Sequence, residues 1–174
     1  SALDNAHGKV DVFGFYNGPY GDVHHTAEAL RMYPQLDTLS LGQWEVNKGV
    51  VAGLHAIYEN VLRDVGNGEP VAGSDDVLVY IHDDVDILEP GWDLRVASAF
   101  QARPNVGLGG FGGSTALGGG EIYQAPYEIH QLGRRDFYSN MNGAEAHGVR
   151  TIEEMPIVST DGMSMIVRRA LLDK

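Results

Sequence analysis

Three carboxylates within four positions, Asp83, Asp84 and Asp86, follow the apolar run Val77-Leu78-Val79-Tyr80-Ile81 and His82. Acids this close repel one another, which favours a bound cation. Hard oxygen donors suit Mg²⁺ or Mn²⁺, the ions that accompany substrate phosphates. The plainer alternative is an acidic, solvated turn. The apolar run is short and rich in β-branched residues, so it reads as a strand buried on both faces. In open α/β sheets, ligands bind beyond the carboxyl ends of such strands.

The elements that must position these acids alternate in type. Val10 to Tyr16 reads as a first strand, ended by the turn signal Asn17-Gly18-Pro19-Tyr20-Gly21. Thr26 to Tyr33 reads as a helix stopped by Pro34, and Leu36 to Leu41 as a second strand. From Val46 to Val65, the residues Val46, Val50, Leu54, Ile57, Tyr58, Val61 and Leu62 recur at helical spacing. After the acidic strand come a turn at Glu89-Pro90-Gly91 and a helix from Trp92 to Phe100. Val106 to Gly110 reads as a buried strand entering a glycine-rich loop. Residues 114–148 hold no sustained period and read as a long excursion. Ile152 to Val158 and Met163 to Arg168 read as strands, and Ala170 opens a helix. That alternation implies a largely parallel sheet covered on both faces, with Val77 to Ile81 near its centre. The short final helix suggests a chain truncated from a longer protein.

Composition bounds the function. The chain of 174 residues is long enough for one domain with a real core. It contains no cysteine, which excludes disulfides and thiolate metal sites. A net charge of −12 disfavours a nucleic-acid backbone as partner, yet a small phosphorylated ligand stays compatible through a divalent cation. No apolar run is long enough to cross a bilayer, and a cytoplasmic location is the expectation.

Three segments, in this order and spacing, resemble the catalytic domain of a GT-A glycosyltransferase, specifically a family 2-like glycosyltransferase. The first is Trp44-Glu45-Val46-Asn47-Lys48-Gly49-Val50, similar to a helix start that precedes the acidic strand. The second is Val77 to Trp92, similar to a strand, an Asp-x-Asp type motif and a Pro-x-Trp turn, with His82 replacing the first acid. The third is Val158 to Arg169, similar to the strand-turn-strand after the acceptor loop. The resemblance implies a Rossmann-like α/β fold, a mostly parallel sheet with helices on both faces, in a single catalytic domain over residues 1–174. It implies an enzyme that moves a sugar from a nucleoside-diphosphate sugar to a carbohydrate or other hydroxyl acceptor, with inversion and with Mn²⁺ or Mg²⁺.

The same resemblance distributes roles. Asp84 matches the last motif acid and is the expected metal ligand, with Asp86 competing. A strand that continued past Ile81 would point Asp84 and Asp86 to one face. Asp83 would then face the other way, toward ribose or a backbone hydrogen bond. His82 is a donor contact or a capping histidine. Asp161 is the expected general base, and Asp161-Gly162 as a mere turn is the alternative. Glu153 and Glu154 stand in reserve. Tyr16 and Asn17 at the first strand's end are expected to meet the donor base. Asn47 and Lys48 lie at a helix start, where N–H groups and a cation meet phosphate or nucleobase. Tyr123, Tyr127, Phe137 and Tyr138 suit an acceptor platform or core packing. Two other functions compete: a nucleotidyltransferase, which needs a basic residue after the first strand that Asn17 to Asp22 lacks, and a non-catalytic nucleotide-sugar or metal-binding domain.

Overall fold

A computed structural model describes residues 2–19, 21–62, 76–82, 85–115, 137–140, 149–160 and 164–172. Its elements run β1 (Val10–Asn17), α1 (Val23–Leu30), β2 (Leu36–Trp44), α2 (Val50–Leu62), β3 (Val77–Ile81) and α3 (Trp92–Ala102), then β4 (Leu108–Gly109) and β5 (Gly112–Ser114). The strands β6 (Phe137–Ser139), β7 (Val149–Arg150), β8 (Ser159–Thr160) and β9 (Ser164–Arg168) complete it. The chain divides into two compact units. One comprises Ser1–Asp76 and Asp86–Arg103, the other Val77–Val85 and Pro104–Lys174. Among the described residues, no helix is long and apolar enough to cross a membrane.

The expected large parallel sheet is not what the chain forms. Instead there are three small sheets: parallel β1-β2, antiparallel β3-β9-β4, and mixed β7-β6-β5-β8. The GT-A, Rossmann-like architecture with helices on both faces is therefore corrected. So is the position of β3, which lies at the edge of its sheet and is half-buried along its whole length. The reason is connectivity. A parallel pair needs a crossover of a dozen residues or more, usually a helix. Such a crossover exists between β1 and β2, where α1 spans the gap and packs on β2. Past α3, no α-helix is found among the described residues, and the pairs formed there are mostly antiparallel.

In the first unit, β1 and β2 pair from Val10↔Leu36 to Asn17↔Trp44, with α2 packed on β1. Helix α1 starts three residues earlier than its apolar pattern suggests, because Asp22 caps it: Asp22 Oδ1 accepts from the His25 N–H at 2.9 Å. Helix α2 starts later than expected. Gly49 has φ +88°, a left-handed conformation that holds the chain out of the helix until Val50. Val46 consequently sits outside the apolar stripe and is 61% exposed.

The N-terminal segment of this unit is a strap along residues 87–93. The Trp92 indole N–H donates to the Ala2 carbonyl (2.9 Å), Asn5 Nδ2 to the Ile87 carbonyl (2.7 Å), and the Gly91 N–H to the Asn5 carbonyl (2.6 Å). The His7 and Gly8 N–H groups donate to the two oxygens of Asp93, at 3.0 and 2.7 Å. Leu3, Ala6, Ile87, Trp92 and Phe100 are all buried in the same unit. Burial by itself would push the Asp93 carboxyl up, but the hydrogen bonds from His7, Gly8, Leu94 and its own N–H outweigh it and hold the group below the ordinary 3.8.

In the second unit, β3 pairs antiparallel with β9 from Val77↔Arg168 to Ile81↔Ser164. β4 lies on the other side of β9, with Leu108↔Val167 and Gly109↔Ile166. Ile166 and Val167 are buried, 4% exposed each. The strand expected over Ile152 to Val158 is absent. Regular pairing begins at Ser159, where β8 meets β5. The helix expected at Ala170 is a single 3-10 turn, Arg169–Leu171.

Candidate functional site

The strand before the acids keeps the bounds the sequence suggests, though it is a half-buried edge strand and not a central one buried on both faces. Val77 to Ile81 supply five backbone partners to β9, and β3 stops at Ile81. Strand alternation therefore does not extend to Asp86. His82 is exposed, and its carbonyl accepts from the Val85 N–H at 3.2 Å. Asp86 is exposed and the next residue, Ile87, is buried. Asp83 and Asp84 lie outside the described residues. Among the described residues, no group of three or more His, Asp or Glu side chains is arranged to hold a metal.

Asp161 also lies outside the described residues, but both its flanks are defined. On one side, Thr160 pairs with Gly113 in the β8-β5 ladder. On the other, Ser164 opens β9 opposite Ile81. Gly110 touches both flanks: a Cβ there would lie 3.0 Å from the Ser164 carbonyl oxygen and 3.3 Å from Thr160 Cβ. The neighbouring Phe111 N–H donates to Ser164 Oγ at 2.9 Å, and Ser164 is only 3% exposed. The end of β3 and the chain on either side of residues 161–163 thus belong to one end of one unit. Of the glycine-rich loop, Gly112 and Gly113 form β5, while Gly118, Gly119 and Gly120 lie outside the described residues. The reserve acids Glu153 and Glu154 are exposed, and the Glu153 N–H donates to Thr151 Oγ1 at 3.0 Å. Tyr123 and Tyr127 are outside the described residues. Tyr138 pairs with Gly113 in the β5-β6 ladder.

The expected donor contacts gather in the first unit, at the carboxyl ends of β1 and β2. Asn17 is the last residue of β1 and pairs with Trp44, the last of β2. Trp44 thus ends a strand; it does not begin a helix. Asn17 Oδ1 accepts from the Lys48 N–H, and Asn47 Oδ1 from the Gly49 N–H, each at 2.8 Å. These bonds shape the lead-in to α2, one from the end of β1 and one from within the lead-in itself. Lys48 Nζ lies 4.3 Å from the centroid of the Trp44 ring, a cation–π contact. Phe15 meets that ring edge-on, with centroids 4.6 Å apart and planes at 66°. The Tyr16 hydroxyl bonds Thr26 Oγ1 on α1, and the Tyr16 ring covers Gly21 so closely that a side chain there would strike it.

Sequence reasoning missed Gln43. Its Nε2 donates to the carbonyls of Gly18 and Gly21, both at 3.1 Å, and fastens the turn after β1. The available signal was β2 itself: a strand running on to Trp44 carries Gln43 alongside Tyr16, and the turn follows one residue later. Chemically, the cluster offers a cation, amides and an aromatic face at two strand ends. The Asp83 to Asp86 run offers carboxylate oxygens, the donor type that Mg²⁺ and Mn²⁺ prefer. No family model matches the chain, and no curated protein or solved structure matches it.

Proposed function

We propose that this chain is a metal-dependent glycosyltransferase that moves a sugar from a nucleoside-diphosphate sugar to a hydroxyl acceptor, with inversion. The observation that carries the reading is the pairing of Ile81 with Ser164. It brings together the end of the strand that enters the acid run and the start of the strand that leaves residues 161–163. An acid set for a cation and an acid for a proton are wanted at one locus by this reaction, and the pairing supports that.

Asp84 and Asp86 are the residues assigned to hold Mn²⁺ or Mg²⁺. When bound, the ion supplies Lewis-acid neutralisation of the leaving diphosphate. Asp161 takes the proton of the attacking hydroxyl onto a carboxylate oxygen, so it must be ionised. Asp83 and His82 serve the donor next to the acid pair. Asn17, Asn47, Lys48 and Tyr16 serve its nucleoside and phosphates. In support, the Lys48 backbone is fixed by Asn17, while its cation rests on Trp44.

The test is calorimetry of Mn²⁺ with a nucleoside diphosphate on the wild type, Asp84→Asn and Asp83→Asn. Binding should be lost in Asp84→Asn and retained in Asp83→Asn. Unchanged binding in Asp84→Asn refutes that ligand assignment. Absence of binding in the wild type refutes the function.

A further inference from the structure

Strand β2 is nine residues long and, among the described residues, pairs with β1 alone. Its other edge therefore presents unpaired backbone N–H and C=O groups, a template for a further strand. Natural edges are commonly blunted by lysine, proline or short length. β2 has no lysine and no proline, and it exceeds the usual length of about five or six residues.

Beside this edge runs a groove of about 380 Å³ between α1 and β2, within the first unit. Leu39, Ser40 and Leu41 all line it. Successive strand residues point to opposite faces, so three in a row share one groove where it follows the strand's edge. On the helix side, the half-buried Val23 and Ala27 form an apolar wall, and the small alanine leaves it open. Glu28 and Arg31 stand exposed on the rim. The Arg31 guanidinium makes no hydrogen bond or ion pair among the described residues. None of the lining residues is assigned to the transfer reaction.

We infer that this groove binds the C-terminal segment of a partner peptide, added as an antiparallel strand to β2 with its terminal carboxylate on Arg31. Helix α1 crosses back between two parallel strands, so its last turn stands by the start of β2. An antiparallel strand ends at that same place and delivers its carboxylate to the guanidinium, a charge-assisted pair. Antiparallel pairing is also the more stable direction. Glu28, one turn earlier on α1, repels a second acid, so the groove selects one carboxylate and not an acidic segment. A second copy of the chain would bring the same net charge of −12, which opposes self-pairing at this edge.

The test is calorimetry on the whole chain with a hexapeptide of alternating valine and threonine. It is offered as the free acid, as the C-terminal amide, and as an amide ending in aspartate. The free acid should bind, and the plain amide should bind about tenfold more weakly or worse. Arg31→Gln should weaken the free acid by about tenfold to a hundredfold, the worth of a hydrogen bond to a charged group, and leave the amide unchanged. Ala27→Leu should fill the groove and abolish binding. Amide hydrogen exchange within Leu39 to Leu41 should slow when the free acid is bound, because an added strand bonds those backbone groups.

No binding of the free acid overturns the inference, as does equal binding of acid and amide, or wild-type affinity in Arg31→Gln. An aspartate-ended amide that binds as tightly as the free acid also overturns it, since the ligand would then be an acidic side chain. Unchanged exchange in β2 with the peptide bound overturns strand addition. A dimer of the free protein that Ala27→Leu dissolves gives the edge to a second copy and overturns the peptide. None of these outcomes bears on the transfer reaction.

Discussion

At Asp161 the proposed chemistry comes down to one proton. Asp161→Asn keeps the size and most hydrogen bonding of the side chain and removes its basicity. Turnover should fall by about 10²–10⁴-fold, the usual worth of a general base, with donor binding preserved. Steady-state kinetics beside donor titration checks this. Near-normal turnover would move the role to Glu153 or Glu154. Asp93 carries a different prediction. Its folded pKa lies below the unfolded 3.8, so its contribution to stability is full above that value. It is lost as pH falls below 3.8 and through the folded pKa. Acid unfolding of Asp93→Ala should therefore show a shallower loss of stability in that range than the wild type. At neutral pH the variant should be less stable by about 1–2 kcal/mol, having lost both acceptors of the strap. Parallel slopes in the two proteins would contradict the linkage. The candidate residues Asn17, Asn47 and Lys48 stand out in the sequence because type and position coincide: Asn17 at a turn signal, Asn47 and Lys48 at the start of an apolar helical stripe. Gln43 escapes a reading that ends the second strand at Leu41: only a strand running on to Trp44 carries it to the turn, and its partners there are backbone carbonyls, which no residue type marks.

Among the elements, β3 was legible to the residue, since a bounded apolar run admits few alternatives. Its partner was not. Pairing of Val77–Ile81 with Ser164–Arg168 joins segments more than eighty residues apart, and local pattern says nothing of direction or neighbour. The start of α2 was misread for a local reason. Val46 continues the helical period, but the left-handed Gly49 interrupts the backbone. Gly49→Ala isolates that cause, because an added Cβ meets no atom within 4 Å. Only the backbone preference changes. The variant should lose about 1–2 kcal/mol in chemical denaturation, the cost of a left-handed conformation for an L-residue. Gly49→Asn should lose less, since Asn tolerates that conformation better. A neutral Gly49→Ala would mean that α2 can begin earlier, as the apolar period suggests.

For the whole molecule, the alternation of strands and helices proved a guide to the first unit only. It correctly implies the parallel pair β1-β2, where α1 provides the crossover, and fails after it: α2 and α3 lie between successive strands that do not pair with each other, and past α3 the strands follow one another without an α-helix among the described residues. The two-unit division has a spectroscopic consequence. The chain has two tryptophans, Trp44 and Trp92, and both belong to the first unit. Indole emission is therefore a reporter of that unit alone. The two indoles are also distinguishable: Trp92 is buried at 7% exposure, while Trp44 is half-buried beneath the Lys48 ammonium. A quencher that carries negative charge should find Trp44 in spite of the net −12 of the chain, because the nearest charge decides the local field. Iodide should thus quench more strongly than caesium. Trp44→Phe should abolish the iodide-sensitive fraction, and Lys48→Gln should shrink it. Equal quenching by the two ions would mean that the ammonium does not stay on the ring in solution. If iodide behaves as expected, the emission of a single residue becomes a direct optical readout of whatever anion docks at the ends of β1 and β2.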